Sequence, residues 1–136
     1  MTGCCLLTAS IVLVTQSHVP EGVMMAVVSS HILDSVSGGS AAGIRCELFR
    51  LQGDSSKQVV FDVIADAEGR ISESVVVDDS SIDGEFELVM HAAGYFGAEK
   101  AVVPTVVIRF VIDDADKRYH LPVMLAPHSY STWWSS

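Results

Sequence analysis

Short segments in which apolar and polar residues alternate are the feature that most limits the fold of this chain. In the most informative of them, 118–126, the alternating apolar residues are Tyr119, Leu121, Val123 and Leu125. Successive side chains of a strand point to opposite faces, so His120 then lies off the face that builds the core. The segment therefore predicts a β-strand that carries a histidine on its outer side.

Comparable segments recur along the whole chain, separated by clusters of Gly, Ser and Asp. Strands are predicted at 23–33, 44–49, 59–63, 84–91 and 105–113, with another beginning at Arg70 and a last one from Tyr130. The Ala-rich stretch 92–100 is the one predicted helix. Seven or eight short strands with one short helix favour an all-β sandwich of two sheets. We expect a single domain at 23–136, preceded by a variable N-terminal extension at 1–22.

The net charge narrows the classes of partner. The 136 residues include 8 Lys and Arg against 17 Asp and Glu, for a formal charge of −9. A nucleic-acid-binding protein needs clustered basic residues, so this class is excluded. The acidic surface also repels a distant anion, and any attraction for an anionic ligand must be local, from Arg70 and its surroundings.

Cysteines and the first segment indicate the compartment. The three cysteines Cys4, Cys5 and Cys46 form no disulfide framework, which favours a reducing compartment, the cytoplasm. The apolar run 4–14 is too short to span a bilayer, so no membrane partner is expected. It has the length of a signal sequence but lacks a basic start and a clean cleavage site, which leaves secretion as the alternative. The ending Trp-Ser-Ser differs from the Ser-Lys-Leu peroxisomal address.

Three side chains are candidates for chemistry: His31, Arg70 and His120. Imidazoles can accept and return a proton near neutral pH, and a guanidinium can hold a developing anion. Each also has an ordinary structural explanation. A histidine on a strand is commonly a hydrogen-bonded residue of the fold, and an arginine beside a turn is commonly paired with a carboxylate.

Four segments, in order, carry a resemblance to a known family. They are S-H-I-L-D-S-V-S-G-G-S-A-A-G-I from Ser30, A-D-A-E-G-R-I from Ala65, P-T-V-V-I-R-F from Pro104 and R-Y-H-L-P-V-M-L-A-P-H-S-Y-S-T from Arg118. Over about 29–136 the chain resembles the 5-hydroxyisourate hydrolases of the transthyretin family. The resemblance implies a transthyretin-like sandwich, a homotetramer with its sites between dimers, and an enzyme of urate catabolism that needs no cofactor.

The resemblance also implies roles for the three candidates. The family enzymes open the six-membered ring of 5-hydroxyisourate by adding water to a ring carbonyl. His31, Arg70 and His120 correspond to their catalytic and substrate-binding residues. Either histidine would be the base, with the other polarising or orienting the substrate, while Arg70 would stabilise the oxyanion. A metal site is not expected, because the two histidines have no closely spaced third ligand.

The end of the chain departs from the family pattern. Where the enzymes end in Tyr-Arg-Gly-Ser, this chain has Trp133, Trp134, Ser135 and Ser136. An indole can stack on a flat ring but cannot make a bidentate ionic contact. We expect Trp133, Trp134 and Ser136 to bind substrate. The alternatives are a non-catalytic protein that binds a small ligand, as transthyretin does, and a scaffold whose Trp-rich end binds a protein. The histidine pair, which transthyretin lacks, favours the enzyme.

Overall fold

The computed structural model describes residues 23–134, so the predicted extension 1–22, Ser135 and Ser136 lie outside the described residues. The described part contains ten strands and one short helix, arranged in two sheets. The strands are β1 (Met24–Asp34), β2 (Gly39–Ser40), β3 (Arg45–Leu51), β4 (Lys57–Ile64), β5 (Arg70–Val77), β6 (Gly84–Met90), β7 (Val106–Ile112), β8 (Arg118–His120), β9 (Val123–Ala126) and β10 (Ser129–Thr132); the helix is α1 (Ala92–Phe96). The predicted all-β sandwich is confirmed.

The first sheet is built around β1. Strand β5 pairs with β1 in the antiparallel sense, while β8 and β9 pair with β1 in the parallel sense along its other edge. Strand β10 pairs with β9 and forms an outer edge. The predicted strand 118–126 is interrupted between β8 and β9 because Pro122 has no N–H to donate to a ladder. This interruption and the two-residue strand β2 raise the strand count above the expected seven or eight.

The second sheet has the order β4-β3-β6-β7, with all pairs antiparallel. Its outer face carries paired charges. Glu87 is almost fully buried there and accepts hydrogen bonds from Lys57 and Arg109. Arg45 binds the carboxylates of both Glu47 and Asp62. Most of the strand-borne cations of this sheet are therefore neutralised by neighbouring acids.

The core lies between the two sheets and uses the inward residues of both. Its most deeply buried large side chains include Val28, Ile32, Leu48, Phe86, Leu88, Met90, Ile112 and Leu125. The alternation predicted for 118–126 is confirmed, since its four apolar residues are buried and Met124 is 41% exposed. At about 25 cal/mol per Å² of apolar surface, this burial is the main force that holds the sheets together.

Helix α1 is shorter than the predicted 92–100. It ends at Phe96 because Gly97 adopts a φ of 102°, outside the helical range, while its N–H still donates to the Ala93 carbonyl. Between residues 23 and 134 there is no helix long and apolar enough to cross a membrane. The helix contributes Tyr95, whose hydroxyl donates to the carboxylate of Asp34 at 2.9 Å. This bond connects the helix to the end of β1.

Candidate active site

His31, Arg70 and His120 lie on one face of the first sheet. His31 is the direct cross-strand neighbour of Arg70 on β5, and Ser29 is the neighbour of His120 on β8. Ser29 and His31 are two residues apart on β1, so they share its outer face, away from the core. Neighbouring strands are about 4.8 Å apart, and residues two apart in one strand about 6.7 Å. The sheet thus brings the three predicted residues together within one subunit.

The imidazole of His120 is oriented by Ser29. The Ser29 hydroxyl lies 2.9 Å from Nδ1 of His120, and Ser29 itself is only 3% exposed. In the tautomer with the proton on Nδ1, the ring donates to the hydroxyl and Nε2 keeps its lone pair. In the other tautomer Nε2 carries the proton. The contact therefore reserves Nε2, on the far side of the ring, for a water molecule or a substrate.

The surroundings of His120 favour its neutral form. Partial burial lowers the pKa of the imidazole, and the positive charges of Arg70 and Arg118 and the nearby His31 lower it further. A base that stays neutral at a lower pH can accept a proton over a wider pH range. This is the electrostatic condition for general-base work near neutral pH.

Arg70 owes its position to the turn that precedes it. The Asp66 carboxylate accepts hydrogen bonds from the backbone amides of Glu68 and Arg70, which folds the D-A-E-G-R segment back on itself. Gly69 has a φ of 70°, and a Cβ there would lie 2.4 Å from the Ile32 carbonyl oxygen. Only glycine allows that approach, which lets the Gly69 carbonyl accept from the Ile32 amide at 2.8 Å. Strand β5 therefore begins with Arg70 beside His31.

The end of β1 is held by Asp34, the last residue of the S-H-I-L-D segment. Its carboxylate accepts from the amides of Val36 and Ser37 and from the hydroxyl of Tyr95. Burial raises the pKa of Asp34, but these hydrogen bonds outweigh that effect and hold the pKa below its ordinary value. Asp34 is thus an ionised anchor for the turn after His31.

Strand β8 is fixed against β1 by two short contacts. The Leu121 amide donates to the Ser29 carbonyl at 2.9 Å, and the Ser30 hydroxyl donates to the Leu121 carbonyl at 2.7 Å. Ser30 is fully buried, so its hydroxyl has no access to water and needs this partner. These bonds fix the position of His120 along β1.

The two tryptophans lie near the edge of the same sheet. The Trp134 ring packs against Tyr119 with 5.5 Å between ring centroids, beside a surface cavity of about 370 Å³ that Phe110 and Lys117 also line. Tyr119 and His120 are consecutive on β8 and point to opposite faces, so within one subunit Trp134 contacts the side away from His120. Trp133 is half exposed, and Ser136 lies outside the described residues. A substrate-binding role for these three residues stays a prediction.

Two residues of this face were missed by the sequence reasoning. Ser29 and Arg118 stand two positions before His31 and His120, respectively, and on strands that spacing places them on the same face. Arg118 lies opposite Val27 and reaches Ser72 with its Nη1 atom, 3.5 Å from the hydroxyl. The i, i+2 spacing was the signal that could have identified both.

The arrangement is suited to proton transfer and anion binding rather than to metal binding. Within residues 23–134, no three His, Cys, Asp or Glu side chains come close enough to hold a metal ion. Cys46, the cysteine within residues 23–134, is buried in the core, where desolvation raises the pKa of its thiol to about 12. Such a thiol is not a nucleophile at neutral pH.

Comparison with known proteins identifies the family. A family model described as HIUase/Transthyretin family matches residues 28–134. The chain belongs to the HIUase/Transthyretin family. Among family relatives, 5-hydroxyisourate hydrolase 2 of Rhizobium meliloti is 34% identical over 114 residues, covering 79% of this chain and 94% of the relative. The 5-hydroxyisourate hydrolase of Deinococcus radiodurans is 33% identical over 113 residues, with the same coverage of 79% and 94%.

Two solved structures share the fold. The 5-hydroxyisourate hydrolase of Klebsiella pneumoniae superposes with a TM-score of 0.64 at 27% identity, over 82% of this chain and 99% of that one. An (S)-allantoin synthase superposes with a TM-score of 0.68 at 25% identity, over 83% of this chain. This chain spans 44% of the length of that synthase.

Proposed function

We propose that this protein hydrolyses 5-hydroxyisourate in urate catabolism. The observation that carries the proposal is the convergence of His31, Arg70 and His120 on one outer face of β1 and its neighbours. Relatives that match almost end to end are named for this activity, which supports the same substrate here.

In the proposed reaction, neutral His120 acts as the base through Nε2. It takes a proton from water as the water oxygen bonds to a carbonyl carbon of the six-membered ring. Arg70 stabilises the oxyanion that forms, and His31, its cross-strand neighbour, orients the carbonyl. The tetrahedral intermediate then collapses, the ring carbon–nitrogen bond breaks, and His120 returns the proton to the departing nitrogen. Water is consumed and His120 is regenerated, so no cofactor takes part.

The proposal includes a homotetramer with the site at the interface between dimers. Apolar side chains are exposed at both ends of the outer face of the first sheet: Met124, 41% exposed, lies beside Leu33 close to His31, and Val76, 56% exposed, lies beside Met25 at the other end. Exposed apolar side chains along one sheet face are commonly covered by a partner. A second subunit over this face would enclose the site. Because Trp134 lies on the side away from His120 within one subunit, Trp133, Trp134 and Ser136 would bind substrate at the site of a neighbouring subunit. The expected compartment is the cytoplasm.

The decisive experiment measures hydrolysis directly. Purified protein is mixed with 5-hydroxyisourate freshly generated by enzymatic oxidation of urate, and the decay of its ultraviolet absorbance is followed. We expect clear acceleration over spontaneous decay, and a loss of about 10²- to 10⁴-fold in kcat for His120→Asn. His128→Asn, in the exposed turn before β10, is the matched control.

Two outcomes would contradict the proposal. Wild-type protein that fails to accelerate the decay would reject the enzyme. If such protein still bound urate, the non-catalytic ligand-binding alternative would gain support. A His120→Asn variant as active as the His128→Asn control would reject the assignment of the base.

A further inference from the structure

The guanidinium of Arg118 lies across the outer face of β1, beside the histidines. Arg118 pairs with Val27, whereas Ser72 on β5 pairs with Ser29, one step further along β1. Because Nη1 of Arg118 reaches the Ser72 hydroxyl at 3.5 Å, the side chain spans the width of β1, about 10 Å between its two neighbouring strands. Its guanidinium therefore lies level with the cross-strand neighbours Ser72, Ser29 and His120.

Arg118 and Arg70 have no acidic partner, whereas half of the Lys and Arg side chains do. Arg45, Lys57, Arg109 and Lys117 each bind a carboxylate. Over residues 23–134, which include all 8 Lys and Arg, neither Arg70 nor Arg118 is within ion-pair distance of an acid.

The surrounding strand positions add no negative charge. The outward residues of the first sheet next to Arg118 are Val27, Ser29, His31, Ser72, Ser74 and His120. The acids nearest to Arg70 in sequence are Glu68, Glu73 and Asp66. Glu73 alternates to the other face of β5, opposite the buried Val28, and Asp66 is occupied by backbone amides of its own turn. In a chain of net charge −9, this face therefore concentrates two unpaired guanidinium groups around two imidazoles.

We propose that Arg118 is a second anion-binding residue of this site and, with Arg70, selects flat bicyclic substrates in their anionic form. Arg70 and Ser72, which Arg118 contacts, are two residues apart on the same face of β5, so the two guanidinium groups lie close together with the histidines beside them. An anionic heterocycle lying on this face would contact a cation at two points of its edge. This inference rests on the proposed function. It adds that substrate charge, and not ring shape alone, is recognised.

The test compares Arg118→Gln with Arg50→Gln, which removes the same charge from the other sheet, where Arg50 binds the Ser80 carbonyl. At pH 8, where His120 is neutral in both variants, we expect Arg118→Gln to raise KM for 5-hydroxyisourate about tenfold with kcat nearly unchanged. A contact made equally in the ground state and the transition state has that effect. Arg118→Lys, which keeps the charge, should recover part of the affinity.

A second readout needs no turnover. NMR titration of the imidazole should show that Arg118→Gln raises the pKa of His120, because Arg118 is one of the charges that lower it together with Arg70 and His31. Calorimetric titration with urate, a stable flat anion, should show weaker binding by Arg118→Gln than by Arg50→Gln. Equal KM and equal urate affinity in the two variants would overturn the role of Arg118. An inactive wild type whose urate binding still depends on Arg118 would overturn the proposed function alone.

Discussion

The contact between Ser29 and His120 makes the sharpest prediction about the chemistry. Replacing Ser29 by alanine removes the hydroxyl that lies 2.9 Å from Nδ1, in a place that is only 3% exposed to water. A neutral hydrogen bond of this kind contributes about 1 kcal/mol, within a range of roughly 0.5–1.5 kcal/mol. If that energy holds the imidazole in its reactive tautomer and orientation, its loss corresponds to a decrease of about fivefold in kcat, within a range of roughly two- to twelvefold.

The expected profile separates positioning from folding. Ser29→Ala should lower kcat about fivefold, leave KM within twofold, and reduce the free energy of unfolding by only about 1 kcal/mol. The absorbance assay gives the kinetic constants, and urea denaturation gives the stability. The ¹⁵N chemical shifts of the His120 ring distinguish the two tautomers and should change in the variant, a change that a purely structural role does not require.

Ser74→Ala is the matched control, because Ser74 is an exposed serine on β5, on the same face of the sheet as Ser29. We expect its kcat and ring shifts to equal those of the wild type. The positioning argument fails if Ser29→Ala keeps full kcat, or if the two alanine variants lose activity to the same extent.

Three further predictions follow from the site and its supports. Arg70→Gln removes a charge that lowers the pKa of His120, so the pKa rises and the acid limb of the kcat/KM profile moves to higher pH; an unmoved limb would contradict that coupling. Asp34→Ala should lower the free energy of unfolding by about 3 kcal/mol in denaturant titration. Because the folded pKa of Asp34 lies below its ordinary value, the part of this loss that depends on its negative charge is full above the unfolded pKa and decreases as pH falls through the folded value. Trp134→Ala loses the ring contact with Tyr119, worth about 1 kcal/mol of folding stability. Because Trp134 is also expected to bind substrate, the variant should raise KM severalfold, and an unchanged KM would reject that role.

Alternation and turn residues made most of the fold predictable. The alternation of apolar and polar residues predicts the strand segments of the first sheet, and it also predicts the outward position of His120. That Arg70 begins a strand also follows from the D-A-E-G turn that precedes it. The joining of β1 to β5 and β8, which creates the site, involves residues up to 91 positions apart, and local pattern carries no information on such pairing.

The parts that were not predictable depend on tertiary geometry. In the pairing of β3 with β4, the register shifts so that Leu48 faces Phe61 while Phe49 faces Val59, and no local signal marks that bulge. Strand pairing also decides that Trp134 meets Tyr119 rather than His120 within one subunit. The resemblance to a family supplied the roles of His31, Arg70 and His120, which periodicity alone could not.

The absent side chain at Gly69 bears on how variants of this protein should be interpreted. Any other residue there would force the Ile32 carbonyl away and loosen the start of β5, so Arg70 would drift from His31. A substitution at this position would therefore look like damage to the reaction in a screen, with poor turnover and modest destabilisation, even though no atom of residue 69 belongs to the reactive groups. Measuring the pairing of β1 with β5, for example by hydrogen exchange at the Ile32 amide, would reveal the true origin of the defect.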